Sequence, residues 1–240
     1  MTQPGRYTYC LLPGLDGTGD LFEPLLREIG NENAVRVVSY PVAQVLNLDE
    51  IVACAVAQLP KDEPLILVAE SMSGPIVVKL LAANALDLEV KGVVFCATFV
   101  RSPLPVLAWM TKFLPLELFA RLPVSAMILR WFALGPDAPN ELVLKLQATL
   151  AKVIPSVIAS RIRIMRDLNE VAALRKIFVP CCYLQATRDR LVSSRYAKDF
   201  KENIPDLRFK RIDGPHLLLQ TRPKECLRVM REFEAHLAVI

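Results

Sequence analysis

Ser71 is the residue whose sequence surroundings best suit a nucleophile. It lies in the segment V-A-E-S-M-S-G at positions 68–74, after an apolar run and before a helical pattern. A serine on a tight strand-to-helix turn requires small residues two positions before and two positions after it. Ala69 and Ser73 meet this steric requirement, although the literal pattern G-x-S-x-G is absent. The N-terminus of the following helix would favour developing negative charge. The segment also suits a serine that only caps a helix.

A histidine and an aspartate could complete a proton-transfer chain with this serine. The chain has only two histidines: His216 follows the last predicted strand, and His236 lies near the end of the C-terminal helical pattern, where a solvated side chain is expected. Asp189 follows a predicted strand of its own, and Asp213 lies three residues before His216. Either aspartate could orient the histidine, and Asp189 is favoured because a separate strand carries it. Such a set would support nucleophilic catalysis.

A glycine-rich loop follows the first predicted strand. Its sequence is L-L-P-G-L-D-G-T-G at positions 11–19. The backbone N–H groups of such a loop can bind a phosphate or an oxyanion. The glycine spacing differs from the dinucleotide-binding pattern G-x-G-x-x-G, and G-K-[ST] is absent, which disfavours nucleotide binding. An ordinary turn between a strand and a helix is the alternative.

Bringing these residues together requires strands that end at a common edge. Short apolar runs alternate with helical patterns, which predicts an α/β fold with a mostly parallel sheet of about six strands and helices on both faces. Active-site residues of such sheets lie just past the carboxyl ends of the strands. The predicted strands are 7–12, 35–40, 65–70, 92–97, 179–185 and 207–212, and the predicted helices are about 20–29, 49–59, 72–86, 193–203 and 223–238.

A helical segment punctuated by prolines interrupts this alternation between residues 97 and 179. We predict a core domain of residues 1–100 and 160–240, with residues 101–159 inserted as a helical cap or lid over the carboxyl edge of the sheet. The cap is apolar and holds both tryptophans, which suits an acyl pocket lined by Trp109, Met110, Phe113 and Trp131. Alternatively, these side chains pack the cap onto the core, or the mildly basic segment 101–130 contacts anionic lipid.

Composition and charge exclude several classes of protein. Hydrophobic residues make up 53% of the 240 residues, too many for a disordered chain, and the basic residues behind the net charge of +4 are scattered, which argues against nucleic-acid binding. We expect a cytoplasmic protein without a transmembrane helix, because there is no secretory signal and no apolar run of about 18 residues. The six cysteines lack metal-ligand spacing and are expected to be free thiols.

The chain resembles the α/β-hydrolase superfamily over essentially its whole length. The loop L-P-G-L-D-G-T-G at positions 12–19 is similar to the L-P-G-x-D-G-T-G loop of esterase, lipase and thioesterase members, including plant phytyl-ester-synthase-like acyltransferases. The segment E-S-M-S-G at positions 70–74 resembles their G-E-S-x-G-G elbow. Ala69 and Ser73 replace glycines of that pattern, and Pro13 stands where many relatives have a histidine.

This resemblance implies a serine hydrolase of carboxylic esters with Ser71 as nucleophile, His216 as general base and Asp189 as the residue that orients it. It also implies an oxyanion hole formed by the N–H groups of Leu15 and Met72, and no metal or organic cofactor. The expected substrate is a small-molecule ester or thioester of an apolar acyl group. Activity is expected to fall as His216 becomes protonated, near its ordinary pKa of about 6.5. A thioesterase, an acyltransferase and a non-catalytic binding protein on the same scaffold are the alternatives.

Overall fold

The computed structural model describes residues 7–83, 87–103 and 116–239. Its centre is a sheet of six strands, every pair of which is parallel, in the order β2-β1-β3-β4-β5-β6. All six strands predicted from the sequence are present, so the predicted fold class is confirmed. The strands are β1 (Thr8–Leu12), β2 (Val35–Val37), β3 (Leu65–Glu70), β4 (Val90–Cys96), β5 (Cys181–Ala186) and β6 (Arg208–Ile212).

The second strand ends three residues earlier than predicted. Beyond Val37 the chain turns towards the glycine-rich loop, where the N–H of Val38 donates to the Leu11 carbonyl and the N–H of Tyr40 donates to the Gly17 carbonyl. These residues therefore bond to the end of β1 and to the loop that follows it, which brings Tyr40 beside the carboxyl edge of the sheet.

The α-helices cover both faces of the sheet, and further helices lie in the described part of the segment between β4 and β5. The five helices predicted from the sequence are present, although residues 84–86, at the end of the third, lie outside the described residues. The helices are α1 (Glu23–Ile29), α2 (Leu48–Val56), α3 (Ser73–Ala82), α4 (Leu116–Phe119), α5 (Ala126–Leu129), α6 (Asn140–Ala151), α7 (Pro155–Asp167), α8 (Ala197–Asn203), α9 (Leu218–Thr221) and α10 (Pro223–Leu237). Short 3₁₀ turns span Asp20–Phe22, Val171–Lys176 and Ser194–Tyr196, and a π-helical turn spans Arg130–Leu134.

The core has two layers because successive side chains of a strand point to opposite faces. In β3, Leu65 and Leu67 pack with α2, α3 and α8, whereas Ile66 and Val68 pack with α1 and α10. All six residues of β3 are buried. The central strands are therefore held from both sides, and their carboxyl ends form a rigid edge.

The described part of the segment between β4 and β5 consists of helices joined by loops, and it contains no strand. Within residues 97–103 and 116–180, strand-like pairing is limited to one isolated bridge between Arg101 and Asn169. The cap boundary predicted at residue 159 falls inside α7, a continuous helix that runs from Pro155 to Asp167. The division into core and cap remains a prediction.

A membrane-spanning helix must be about 20 residues long and predominantly apolar. Among the described residues, no single helix is both long and apolar enough to cross a bilayer. Helices α6 and α7 satisfy the length and composition requirement only as a pair, and they are bent by 97° relative to each other.

Replacing Leu67 by alanine should strongly destabilise the fold. The side chain is fully buried in β3, so Leu67→Ala should lower the free energy of unfolding by about 2–5 kcal/mol, measured by urea denaturation. Leu144 on α6 is 64% exposed, and Leu144→Ala is the control, with an expected change within about 0.5 kcal/mol. Equal losses for the two variants would contradict the description of β3 as the centre of the core.

Candidate active site

Ser71 occupies a strained turn between β3 and α3. Its φ of +49° lies in the left-handed region, which a non-glycine residue rarely adopts. The turn is fixed by its neighbours, because the Ser71 N–H donates to the Cys96 carbonyl at 3.0 Å and the Thr98 hydroxyl donates to the Ser71 carbonyl. A Cβ atom added at Gly74 would overlap the Thr98 side chain, so this position requires glycine. The turn presents the Ser71 hydroxyl beyond the sheet edge.

A chain of hydrogen bonds joins Ser71, His216 and Asp189. His216 Nε2 lies 2.9 Å from Ser71 Oγ, and His216 Nδ1 lies 2.7 Å from Asp189 Oδ2. The other oxygen of Asp189, Oδ1, accepts from the N–H groups of Leu191 at 2.8 Å and Val192 at 2.7 Å. The side chains of His216 and Asp189 are each only 5% exposed. This carboxylate therefore has a fixed orientation and fixes that of the imidazole.

The other histidine and the alternative aspartate lie elsewhere. The Asp213 side chain is 76% exposed, accepts from the Thr187 hydroxyl at 2.9 Å and pairs with Arg188 at 3.1 Å. His236 is partly exposed in the last turn of α10. Neither side chain is hydrogen-bonded to His216 or Ser71 in the described structure.

The glycine-rich loop lies directly against Ser71. The Gly17 N–H donates to the Gly14 carbonyl at 3.2 Å, and a Cβ atom added at Gly14 would lie 3.6 Å from Ser71 Cβ. Because a trans peptide holds its N–H and C=O on opposite sides, this hydrogen bond directs the Leu15 N–H out of the turn. Met72 is the N-cap of α3, where backbone N–H groups have no acceptor within the helix. Of the predicted pair of donors, Met72 directly follows Ser71 in the chain, and Leu15 directly follows Gly14, which lies against Ser71.

Ser73 connects this loop to the turn at Ser71. Its hydroxyl donates to the Pro13 carbonyl at 2.5 Å and lies 2.6 Å from the Tyr40 hydroxyl, which acts as donor to it. Both side chains are buried. The serine that departs from the glycine of the motif thus adds a bond that glycine could not make.

Glu70 is a buried carboxyl next to the candidate nucleophile. Its Oε2 accepts from Gln220 Nε2 at 3.3 Å, whereas Glu70 Oε1 and Gln220 Oε1 have no hydrogen-bond partner among the described residues. Burial raises the pKa of Glu70 from 4.5 to about 7; the charge of His216 and the Gln220 bond oppose this rise, and the charge of Asp16 adds to it. A protonated Glu70 carboxyl would supply a hydrogen-bond donor, which Glu70 Oε1 and Gln220 Oε1 lack in the described structure.

The pKa of His216 is raised above its ordinary value of 6.5. Burial of the imidazole alone would lower it, but the charge and hydrogen bond of Asp189 and the charge of Glu70 outweigh that effect. The imidazole is consequently a stronger base than an exposed histidine, as a proton acceptor for a serine hydroxyl needs to be.

An apolar cavity of about 430 Å³ reaches Ser71 and His216. Gly14, Leu15 and Asp16 border it near the serine, and Arg166 is the charged residue farther out. Its apolar lining comes mainly from the segment between β4 and β5 and includes Leu21, Phe99, Pro103, Leu116, Val124, Ile128, Leu129, Phe132, Ala133, Leu146, Leu150, Ile162, Met165, Leu191, Val192 and Leu217.

Of the four residues predicted to line the acyl pocket, only Trp131 is among the described residues. Trp131 does not line the cavity: it is 59% exposed, and the Arg190 guanidinium lies 3.7 Å from its ring centroid. The reason is the π-helical turn at Arg130–Leu134, which directs the neighbouring Phe132 and Ala133 to the cavity. Trp109, Met110 and Phe113 lie outside the described residues.

Several residues that support the site were not identified from the sequence. Tyr40, Thr98, Gln220 and Arg161 contact it from segments far apart in the chain. Of these four, only Arg161 could have been noticed in the sequence pattern. It lies four residues after Val157 on the buried face of α7, where an arginine is unusual. The described residues contain no group of three or more His, Cys, Asp or Glu side chains suited to a metal ion.

A six-stranded parallel sheet with a serine on the turn after its central strand defines the α/β-hydrolase fold. The sequence matches the family described as "Serine aminopeptidase, S33" over residues 42–219, more than half of the chain. The chain therefore belongs to this family of α/β-hydrolases. A search of the curated proteins gave no significant match.

Solved structures support the same fold. A lipase-esterase related protein from Clostridium acetobutylicum is 16% identical, with 97% of this chain and 96% of that one covered and a TM-score of 0.76. An esterase from a Rhodococcus species is 15% identical, with coverages of 96% and 91% and a TM-score of 0.72. The enol-lactonase from Burkholderia xenovorans is 16% identical, with coverages of 95% and 91% and a TM-score of 0.73. Because these proteins are only 15–16% identical to this chain, the similarity is evidence for the fold alone.

Removing the charge of Glu70 should lower the pKa of His216, because that charge favours the imidazolium. Proton NMR titration of the two histidines should give a midpoint above 6.5 for His216, and Glu70→Gln should shift this midpoint to lower pH. His236→Gln assigns the resonances, and Asp213→Asn is the control that should leave the midpoint unchanged. An unaltered midpoint in Glu70→Gln would show that the two groups are not coupled.

Proposed function

We propose that the chain is a serine hydrolase that cleaves carboxylic esters of apolar acyl groups. The observation that carries the proposal is the hydrogen-bonded chain Ser71–His216–Asp189 at one end of an apolar cavity. Two of the structurally similar proteins are named as an esterase and an enol-lactonase, which supports ester chemistry.

In the proposed mechanism, Ser71 Oγ attacks the acyl carbonyl carbon while His216 Nε2 accepts the hydroxyl proton. Asp189 holds the imidazole in the orientation that leaves Nε2 free to accept, and its charge stabilises the imidazolium. The imidazolium then donates the proton to the leaving oxygen, which departs as an alcohol and leaves the acyl group on Ser71. Water attacks this acyl-enzyme with His216 again as base, which releases the carboxylic acid and restores Ser71.

The negative charge that develops on the carbonyl oxygen needs preorganised donors. We assign this role to the N–H groups of Leu15, which borders the same cavity as Ser71, and of Met72, the residue after Ser71. Fixed donors of this kind each contribute roughly 2.7–4 kcal/mol to stabilisation of the transition state. The turn closed by Gly14 and Gly17 and the N-terminus of α3 hold them without reorganisation during the reaction.

The cavity favours an uncharged acyl chain. Its volume of about 430 Å³ falls within the range of small-molecule sites, and its wall is overwhelmingly apolar. Arg166, the cation on the wall, is engaged by the carboxylate of Asp167 through two hydrogen bonds of 2.8 and 2.5 Å. A charged acyl group would therefore lose its hydration without gaining a free ionic partner.

Replacing Ser71 or Asp189 should abolish or severely reduce hydrolysis of p-nitrophenyl butyrate. Ser71→Ala removes the nucleophile, and Asp189→Asn should lower kcat about 10⁴-fold because the amide would favour the wrong imidazole tautomer. Asp213→Asn is the matched control, since this carboxylate is exposed and bonded elsewhere, and it should retain activity. A fluorophosphonate probe should label Ser71, as checked by peptide mass spectrometry.

Two outcomes would contradict the assignment. Hydrolysis by Ser71→Ala at the parent rate would exclude Ser71 as nucleophile. An unlabelled, inactive parent protein would favour the non-catalytic binding alternative over any hydrolase with this site.

The adjacent aromatic residues Phe132 and Trp131 provide a test of the acyl pocket. Both are partly exposed, but only Phe132 borders the cavity. Phe132→Ala should lower kcat/KM about tenfold for p-nitrophenyl esters of long acyl chains and much less for the acetate, because buried apolar contact is lost. Trp131→Ala should leave the ratio between long and short chains unchanged.

Equal chain-length profiles for Phe132→Ala and the parent would argue against acyl binding in this cavity. The same series with acyl-CoA measures the preference for thioesters. Product analysis with added alcohol distinguishes transfer to the alcohol from transfer to water.

A further inference from the structure

Arg161 is a buried cation without a carboxylate partner at hydrogen-bonding or salt-bridge distance among the described residues. It extends from α7, and its side chain is bonded to three backbone carbonyls. Nη1 donates to the Leu15 carbonyl at 2.8 Å and the Asp16 carbonyl at 2.7 Å, and Nη2 donates to the Pro41 carbonyl at 3.0 Å. The residue as a whole is only 2% exposed.

Neutral carbonyls compensate for the burial of a positive charge less well than a carboxylate would, so stability alone does not explain this set of partners. Burial of a guanidinium costs several kcal/mol unless charge or hydrogen bonds compensate for its lost hydration. The nearby Asp16 carboxylate is instead occupied by Thr18, whose N–H and hydroxyl donate to Asp16 Oδ2 at 2.9 and 2.8 Å. What the planar, five-donor guanidinium provides here is a fixed geometry for several peptide groups at once.

The glycine-rich loop is shaped around this guanidinium. Gly17 has a φ of +70°, and a Cβ atom added there would lie 2.6 Å from Arg161 Nη1. The same Gly17 closes the turn that orients the Leu15 N–H, through its bond to the Gly14 carbonyl. Arg161 therefore holds the peptide groups that follow Leu15, whereas the turn holds the peptide group that contains the Leu15 N–H.

We propose that Arg161 is a positioning residue for the oxyanion hole. It fixes the backbone on the carboxyl side of Leu15, so that the Leu15 N–H stays aligned with that of Met72 when the tetrahedral intermediate forms. The inference rests on the proposed function. The residue acts through the loop and does not contact the substrate.

The position of Arg161 also links acyl binding to oxyanion stabilisation. The next residue, Ile162, and Met165 on the same helix line the acyl cavity. One helix of the segment between β4 and β5 therefore supports the wall of the cavity and the loop that binds the oxyanion.

The test compares Arg161→Met and Arg161→Lys with Arg163→Met. Arg163 is on the same helix, but its side chain is 44% exposed and it contacts Glu117 at 3.3 Å. Both Arg161 variants should lose about 10²–10³-fold in kcat with little change in KM, because only the transition state uses the oxyanion hole. The lysine variant keeps a charge but cannot bridge three carbonyls. Arg163→Met should retain the parent kcat.

A transition-state analogue separates positioning from a general structural role. A trifluoromethyl ketone with a butyl chain forms a hemiketal oxyanion with Ser71, whereas the corresponding methyl ketone reports ground-state binding. Across the variants, affinity for the fluorinated ketone should fall in proportion to kcat/KM, and affinity for the methyl ketone should stay constant. Thermal unfolding identifies variants that fail to fold, and Arg161→Lys provides the comparison if Arg161→Met does not fold.

The inference is overturned if the parent is active and the folded Arg161 variants keep its kcat. It is also overturned if both ketones lose affinity equally, since that result would indicate a distorted cavity. A parent protein that neither hydrolyses esters nor reacts with the fluorophosphonate probe would refute the proposed function, and the role of Arg161 with it.

Discussion

The left-handed backbone of Ser71 is the constraint on which the site depends. This backbone conformation costs a non-glycine residue roughly 1–3 kcal/mol, and it is retained only where the surrounding structure enforces it. Here the conformation of the crowded turn is held by the buried strands β3 and β4 and by two hydrogen bonds of Ser71, one to the Cys96 carbonyl and one from the Thr98 hydroxyl. The small residues around Ser71 follow from this crowding, as does the glycine at position 74. The stability of the sheet is therefore what allows a strained serine to be held beyond its edge.

The buried charged groups around this turn differ in how completely they are satisfied. Asp16 is bonded to Thr18, Asp189 accepts from two backbone N–H groups and His216, and Arg161 is bonded to three carbonyls. Glu70 has one long hydrogen bond, and burial raises its pKa to about 7. Its charge therefore changes near neutral pH, in direct electrostatic contact with His216. Burial of this carboxyl thus couples the protonation of Glu70 to the pKa of His216, an effect separate from that of the Asp189 bond.

The sequence was sufficient for most of the sheet because the inner strands β1, β3, β4 and β5 are largely buried and apolar, whereas the edge strands β2 and β6 are partly exposed and more polar. It also led to Ser71, Asp189 and His216 as candidates, since each follows a predicted strand and parallel strands bring their carboxyl ends together. Tyr40, Gln220 and Arg161 were not found in this way, because they belong to no recognised motif and their contacts with the site, 33 to 150 residues away in the chain, depend on tertiary packing. Trp131, which was expected to line the pocket, does not border the described cavity, and the reason is different. Short helices and a π-helical turn lack the regular period from which the inward face can be read.

The segment between β4 and β5 lines the cavity and also contacts two loops of the candidate site. Its π-helical turn accepts, at the Ala133 carbonyl, a hydrogen bond of 3.0 Å from the N–H of Leu217, the residue after His216. Its helix α7 holds the glycine-rich loop through Arg161. The segment thus contacts the histidine loop at one point and the glycine-rich loop at another, while its apolar side chains form most of the cavity wall. A displacement of its described helices would therefore change contacts with both loops, so the proposed acyl binding, proton transfer and charge stabilisation would share one structural support.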